Sequence, residues 1–363
     1  MAIAATEKNK INLERAMKTK LVKFAAIAAA GMAFVATNAA QAANPLFPQL
    51  FTADPSAYVD GGTVYLYVGV DSASVKDKDY VMKEWRVYSS CDMKNWTDRG
   101  SPLKPSAFKW AIGKVDAWAA DVTKRDGKYY FYSTVDHATI PGRAIGVAVS
   151  DKPEGPFVDA RGSALVTNNM TLEAPIAWDD IDPGVFVDDD GQAYLYWGNT
   201  VLKYAKLKPN MIEFDGPIHT VGMDRFTEAP YMHKHKGVYY LSYSRDFPET
   251  TAYMMSNSPT GPWKFGGVIM EKNAKVKTIH QAIIAFNGKN YIFYHNDKLP
   301  TGGEYRRSVA VGSSSTTPTA PSRSSSKPRK GRRPILVRLA SDIEMTGFDQ
   351  KSIPVVISFS YGY

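Results

Sequence analysis

One pattern recurs along the middle of the chain. An acidic or imidazole residue opens an apolar run of strand length, a turn containing Gly follows, and an aromatic-rich run returns. Its plainest copy is Ile-Asp-Pro-Gly-Val-Phe-Val-Asp-Asp-Asp-Gly-Gln-Ala-Tyr-Leu-Tyr, from Ile181 to Tyr196. Alternation on both arms, with Gly where the backbone needs φ > 0, predicts a β-hairpin. Further copies open at Asp54, Asp121, Glu228 and His280, so successive openers are 67, 61, 46 and 52 residues apart. An all-strand unit repeating at that interval predicts propeller blades, small antiparallel sheets packed radially about an axis.

A second motif supplies the outer part of each blade. Ser150 to Phe157 (Ser-Asp-Lys-Pro-Glu-Gly-Pro-Phe) matches Ser256 to Trp263 (Ser-Asn-Ser-Pro-Thr-Gly-Pro-Trp), and Ser90 to Trp96 is a looser copy. Each follows a strand-like run and ends in an aromatic, as a turn into an outer strand would. No amphipathic helix of useful length interrupts the region. The expected fold is all-β, a five-bladed β-propeller.

Composition then narrows the function classes. With 363 residues, 44% hydrophobic and 12% aromatic, the chain can bury a large core. Its net charge of +8 suggests nucleic acid until it is located: residues 1–42 carry +4, residues 312–363 carry +5, and the middle carries −1. A near-neutral folded region excludes a nucleic-acid partner. Cys91 is the single cysteine, which excludes an internal disulfide and a cysteine metal cluster. At the start, Lys18, Lys20 and Lys23 precede an apolar run from Phe24 to Ala36 and an Ala40-Gln41-Ala42 cleavage site, with Met17 the natural start. That run falls short of the roughly 20 residues of a membrane span. Export with cleavage is expected, to the periplasm or beyond, with no membrane attachment afterwards.

Openers of inner strands face a propeller's axis, so Asp54, Asp121, Asp182, Glu228 and His280 should crowd together. Converging carboxylates push each other's pKa values apart, which is what one general acid and one general base at a single pH require. Asp and Asn also begin turns by capping free N–H groups. Acids followed by Pro or Ala-Pro at one repeat position are harder to explain that way.

Asp54-Pro55-Ser56, Asp182-Pro183-Gly184 and Thr227-Glu228-Ala229-Pro230 resemble the three acidic motifs of glycoside hydrolase family 43, inverting five-bladed propeller enzymes. The likeness runs from about Asn44 to Val311. Trp118-Ala119-Ala120-Asp121 is similar to the family's Trp-Ala-Pro-Asp segment, with Ala120 replacing the proline, and Gly302 to Ser308 is similar to its late arginine segment. The resemblance implies Asp54 as general base, Glu228 as general acid, and Asp182 as the residue that raises the acid's pKa and helps hold the sugar. An inverting pair should stand about 6.5–9.5 Å apart. It further implies His280 near a calcium ion on the axis, with no organic cofactor. Trp118 is expected to stack on sugar, and Arg306, in preference to Arg307, to pair with sugar hydroxyls or a catalytic carboxylate.

Other residues receive plainer readings. Trp85, Trp96, Trp178, Trp197 and Trp263 are expected to pack, His233 and His235 to lie on the surface, and Asp188-Asp189-Asp190-Gly191 to form a turn, since it lacks the later ligands of a calcium loop. The implied substrate is plant cell-wall polysaccharide or oligosaccharide bearing α-L-arabinofuranosyl or β-D-xylosyl units, cleaved in exo fashion. An endo-arabinanase and a non-catalytic carbohydrate-binding propeller are the alternatives. Retaining fructan enzymes fit less well, because their Trp-x-Asn-Asp-Pro-x-Gly opening is absent before Asp54. The sequence leaves the oligomeric state open.

Three segments result: a signal peptide with extension at 1–42, the catalytic propeller at 43–311, and an atypical basic tail at 312–363. The tail lacks the apolar strand and hairpin expected after Val311. Ser314 to Arg323 can be encoded so that a shifted frame reads Phe-Tyr-Asn-Ala-Asp-Gly-Ser-Ile-Gln, which points to a frameshift near Gly312. If the frame is shifted, the last blade or the strand closing the ring is expected to be incomplete, which would expose an unpaired inner edge.

Overall fold

The structure, a computed structural model, describes residues 44–114, 116–223, 225–273 and 275–315. The expected leader at 1–42 and the tail beyond 315 lie outside the described residues. Within them the hairpin repeat becomes five sheets. Blade 1 comprises β1 (Thr52–Asp60), β2 (Thr63–Asp71), β3 (Met82–Ser90) and β4 (Thr97–Asp98). Blade 2 comprises β5 (Ala120–Arg125), β6 (Lys128–Asp136), β7 (Arg143–Ser150), β8 (Val158–Asp159) and β9 (Val166–Thr167), the last pairing with β7. Blade 3 holds β10 (Gly184–Val187), β11 (Ala193–Trp197), β12 (Leu202–Leu207) and β13 (His219–Val221). Blade 4 holds β14 (Phe226–His235), β15 (Val238–Arg245), β16 (Thr250–Ser256) and β17 (Lys264–Met270), and blade 5 holds β18 (Ala282–Phe286), β19 (Lys289–Asn296) and β20 (Ser308–Ser315). The fold is a five-bladed β-propeller.

Local chemistry explains the hairpins. Asp126-Gly127, Lys236-Gly237 and Asn287-Gly288 take φ values of 50° and 78°, 50° and 79°, and 47° and 72°, so both loop residues are left-handed. That conformation matches the twist of the flanking strands, and Gly in second place removes half its cost. The second motif does what its position implies: Ser90 to Trp96, Ser150 to Phe157 and Ser256 to Trp263 carry the chain into β4, β8 and β17. Asp188 to Gly191 is a turn, and Asp188 is also held by Lys234 (2.6 Å) and Tyr239 (2.5 Å) of the next blade.

Apolar packing lies between blades. Trp85, Phe131 and Tyr67 fill the space between blades 1 and 2, while Trp197, Leu195 and Val147 fill that between blades 2 and 3. Blades 4 and 5 meet over a thinner cluster of Tyr253, Ile269 and Ile292. Trp178 departs from its expected packing role and is 49% exposed.

The end of the propeller corrects two expectations. The boundary placed after Val311 falls inside β20, where Gly312 to Ser315 stay in register with Ile292 to Lys289. Among the described residues the inner strand β18 is paired with β19 along its whole length, from Ala282 to Phe286. Blade 5 has three strands among the described residues, with β20 outermost. The start of the described chain covers that edge. Leu46 N–H donates to Val309 O (2.9 Å), while the Asn44 side chain donates to Val311 O (2.9 Å) and accepts from Val311 N–H (2.9 Å). Each bond is worth about 1 kcal/mol. Asn44→Ala should therefore lower the melting temperature by roughly 2–6 °C in a thermal scan; an unchanged midpoint would show that the ring closes without this clamp.

Candidate active site

Every inner strand starts at the same end of the propeller, so that end also carries the β2–β3, β6–β7, β11–β12, β15–β16 and β19–β20 loops and the links between blades. The acids stand there because the backbone is bent to aim them. Asp54 has φ 51° beside a register shift between Ala53 and Ser56. Asp182 has φ 58°, and Glu228 is flanked by register shifts and followed by Ala229 at φ 57°. Asp tolerates the left-handed region better than most residues, yet such strain costs about 1–3 kcal/mol and concentrates at functional sites.

Asp54, Asp182 and Glu228 share one electrostatic site. Asp54 is 8% exposed, and burial alone would raise its pKa. Arg307 reverses that, with Nη1 3.0 Å from Oδ1 and Nη2 3.4 Å from Oδ2, and the carboxyl is held well below the usual range. Glu228 goes the other way. Burial first, then the charge on Asp54, outweighs a 2.7 Å hydrogen bond from Asn199 and pushes it up to about 7. Asp182 is pushed well above its ordinary value by burial and then by Glu228, while accepting Ala229 N–H at 3.1 Å. The pocket thus drives its acids apart, Asp54 held down by a guanidinium and Glu228 and Asp182 raised by burial.

The remaining expected residues divide. Trp118 is half-buried at this end, but the Arg143 guanidinium covers one ring face at 3.5 Å and Tyr80 meets it edge-on at 6.0 Å. The arginine at the acids is Arg307, not Arg306, which lies over the Phe51 ring at 5.1 Å. Arg307 also bonds Asp71 through Nε (2.9 Å) and Nη2 (3.0 Å). His280 Nδ1 sits 3.7 Å from Asp182 Oδ2, and burial pushes the imidazole down to about 4, so it is neutral.

Calcium takes six to eight oxygen ligands. Among the described residues no group of three His, Cys, Asp or Glu side chains could hold a metal ion, and His280 brings a single imidazole nitrogen. Carboxylate and imidazole side chains among the described residues thus do not by themselves make a calcium shell.

Several residues at the site carry no signal in the repeat. Asn199 lies in the β11–β12 loop, where its N–H donates to Asp179 O (2.9 Å). That segment is fixed by fully buried Lys203, bonded to Asp179 (2.9 Å) and Asp180 (3.2 Å), with Trp197 donating to Asp180 (2.7 Å). Glu249, in the β15–β16 loop, is 2% exposed; its Oε2 accepts Ile279 N–H at 2.5 Å, and burial, then the charge on Glu228, raises its pKa well above the ordinary value. His295 Nδ1 receives the Asp54 N–H at 3.3 Å. The rim is apolar: Val75, Ile112, Met170, Leu172, Trp178 and Phe247, six of the eight exposed large hydrophobics among the described residues, lie on loops or links of this end.

The chain matches the model of glycosyl hydrolases family 43 over residues 42–313. It is 32% identical to a xylosidase/arabinosidase of Humicola insolens, over 74% of this chain and 94% of the relative. Among solved structures it superposes on a β-xylosidase/α-arabinofuranosidase from a compost microbial metagenome, solved with xylotriose in a calcium-free form (TM-score 0.67, 29% identity, 77% of this chain and 95% of that one). An α-L-arabinofuranosidase from Clostridium thermocellum is 37% identical over 74% of this chain and 91% of its own, with TM-score 0.62. With these matches laid over a propeller whose acids converge at one end, the chain belongs to glycosyl hydrolase family 43.

Proposed function

We propose that this glycosidase removes terminal α-L-arabinofuranosyl or β-D-xylosyl units from hemicellulose oligosaccharides with inversion, Asp54 acting as base and Glu228 as acid. One observation carries the reading: an ionised carboxylate and a carboxyl that holds its proton up to about pH 7 share a single buried site. Asp54 takes a proton from water as its oxygen attacks the anomeric carbon. Glu228 gives its proton to the glycosidic oxygen as that carbon–oxygen bond breaks. Asp182, whose own pKa burial and then Glu228 raise, supports the acid's raised pKa and helps hold the sugar. The relatives' names supply the sugars, since their hydroxyls and ring geometry are alike. Apolar loops around the acids suit the faces of leaving-group sugars, with Trp178 the largest exposed surface among them.

The pH dependence follows from the two carboxyls. Asp54 must be ionised and its pKa is depressed, so activity persists into acid. Glu228 must be protonated, so kcat/KM should fall as pH rises through about 7. Glu228→Gln should lose about 10²–10⁴ in kcat on an aryl α-L-arabinofuranoside or β-D-xyloside; undiminished hydrolysis by a folded variant would end the acid assignment. Proton NMR of the first-formed sugar should show the inverted anomer.

Arg307→Met should cost at least tenfold in kcat/KM and also lower the melting temperature, because it strands two buried carboxylates, whereas Arg306→Met should change activity little. Equal losses in the two variants would remove Arg307 from its place at the base. Trp178→Ala should raise KM for xylotriose severalfold while leaving KM for the aryl xyloside nearly unchanged; a parallel rise in both would place Trp178 outside the leaving-group path.

A further inference from the structure

The β11–β12 loop reaches the acid from the neighbouring blade, and its backbone is strained in doing so. Thr200, a β-branched residue, sits at φ 68°. Gly198 sits at φ 135°, where a Cβ would meet Val201 O at 2.1 Å, and Val201 N–H donates to Asn199 O (2.8 Å) to close a three-residue turn. Such strain costs about 1–3 kcal/mol and persists only where the surroundings over-determine it.

Three ties over-determine it here. Gly198 N–H and Asn199 N–H donate to Ile181 O and Asp179 O (both 2.9 Å), which stitches the loop to the segment leading into Asp182. Thr200 N–H donates to the carbonyl of Thr227 (2.8 Å), the residue before Glu228. Fully buried Lys203 donates to Asp179 Oδ2 (2.9 Å), Asp179 O (3.2 Å) and Asp180 Oδ1 (3.2 Å), and Asp180 also accepts from Thr171 (2.8 Å) and Trp197 (2.7 Å). A buried ion cluster adds little net stability over apolar residues of like volume. What it adds at this place is a fixed position for the loop. The side chain so placed is Asn199, 8% exposed, whose Nδ2 donates to Glu228 Oε2 at 2.7 Å while its Oδ1 accepts the Thr200 hydroxyl at 3.0 Å.

We infer that Asn199, braced by the Lys203–Asp179–Asp180 cluster, is a positioning residue: its amide fixes Glu228 through Oε2, leaves Oε1 to carry the proton, and steadies the carboxylate formed when that proton leaves. The inference rests on Glu228 being the acid. An amide N–H bonds best to the carbonyl oxygen of a protonated carboxyl, so the O–H belongs on the other oxygen. Glu228 passes that proton to the glycosidic oxygen as the bond to the anomeric carbon breaks, the attacking water leaves its proton on Asp54, and solvent returns one proton to Glu228. Asn199 gains and loses none. Its hydrogen bond becomes charge-assisted as the reaction proceeds, and a donor held ready where charge develops is worth more in a buried site than in water.

The charged and titratable groups around Glu228 come from four other elements: Asp54 from β1, Asp182 from the head of blade 3, Glu249 from the β15–β16 loop, and Arg307 leading into β20. Arg307 directs its hydrogen bonds to Asp54 and Asp71. Asp54 raises the pKa of Glu228, and Asn199 opposes it.

The test compares Asn199→Leu and Asn199→Asp in the full chain, on aryl glycosides of graded leaving group. Leu has nearly the shape of Asn without its donor; Asp keeps the acceptor for Thr200 but offers Glu228 a carboxylate. Both variants should lose roughly tenfold to a hundredfold in kcat on an unactivated aryl glycoside, and much less on a dinitrophenyl glycoside, whose leaving group needs no proton. In both, the basic limb of kcat/KM should move up by about one pH unit, because removing the donor disfavours the charged form of Glu228. A limb that stays in place, or a loss equal for all leaving groups, overturns the inference, since a merely structural loop would behave in that way. Should the Leu variant fail to fold, the limb of the Asp variant decides alone. Glu228→Gln in the same series separates the two claims. Loss confined to unactivated substrates keeps Glu228 as the acid whatever Asn199 does, whereas loss equal for all leaving groups ends the acid assignment and this inference with it.

Discussion

Five inner strands can close about an axis only if the polar groups they turn towards it find partners, and here those partners come from the neighbouring blade. Ser56 of blade 1 donates to Asp121 of blade 2 (2.6 Å), and Asp121 accepts Val185 N–H of blade 3 (2.8 Å). Asp182, at the head of blade 3, accepts Ala229 N–H of blade 4, whose carbonyl receives Gln281 Nε2 at the head of blade 5 (2.8 Å). Arg307, leading into β20, and His295 of β19 complete the circuit at Asp54. An unpaired buried N–H or carboxylate costs about 1–3 kcal/mol or more, so this ring fixes blade order as firmly as the apolar interfaces do. The acids at the repeat's opening are therefore structural groups first, and chemistry is a further use of the same carboxylates.

That double duty decides which acid does what. Burial raises all of them, Asp121 to about 6, Glu228 to about 7, and Asp182 and Glu249 well above their ordinary values. Only Asp54 faces a guanidinium close enough to reverse the trend. Arg307 is itself anchored by Asp71 and by donation of its N–H to that carboxylate (2.8 Å), so its charge is delivered at a fixed place. One cation among several carboxylates thus creates the asymmetry that an inverting pair needs, with no difference in the acids' own chemistry.

The sequence carries the repeat plainly because a hairpin is local: Asp126-Gly127 and Asn287-Gly288 specify their turns without reference to the rest of the chain. Asp54, Asp182 and Glu228 are legible for the same reason, each at a fixed offset from its hairpin. Asn199 and Glu249 are not. They lie in loops between second and third strands, where no repeat position marks them, and only the closed ring brings them to Glu228. Neighbouring arginines differ by the alternation of an extended chain: Arg307 turns to Asp54 while Arg306 lies over Phe51. A one-residue error in that phase exchanges the two, and the irregular turn at Gly303, which trades hydrogen bonds with Arg306, hides the phase from a reader of the sequence.

Closure and catalysis meet in the same few residues. Arg307 O receives Thr52 N–H (2.9 Å) just as its guanidinium reaches Asp54, so the strand that closes the ring also charges the base. Beyond it, β20 is steadied by β19 on one side and by Asn44 and Leu46 on the other. Blade 5 leans on blade 4 through only a small apolar cluster. Loosening β20 would therefore release Arg307 before it disturbed Asp182 or Glu228, which are bound to blades 3 and 4. The first consequence of opening the ring is then loss of the ionised base, not loss of the acid, and it would come while most of the propeller is still folded.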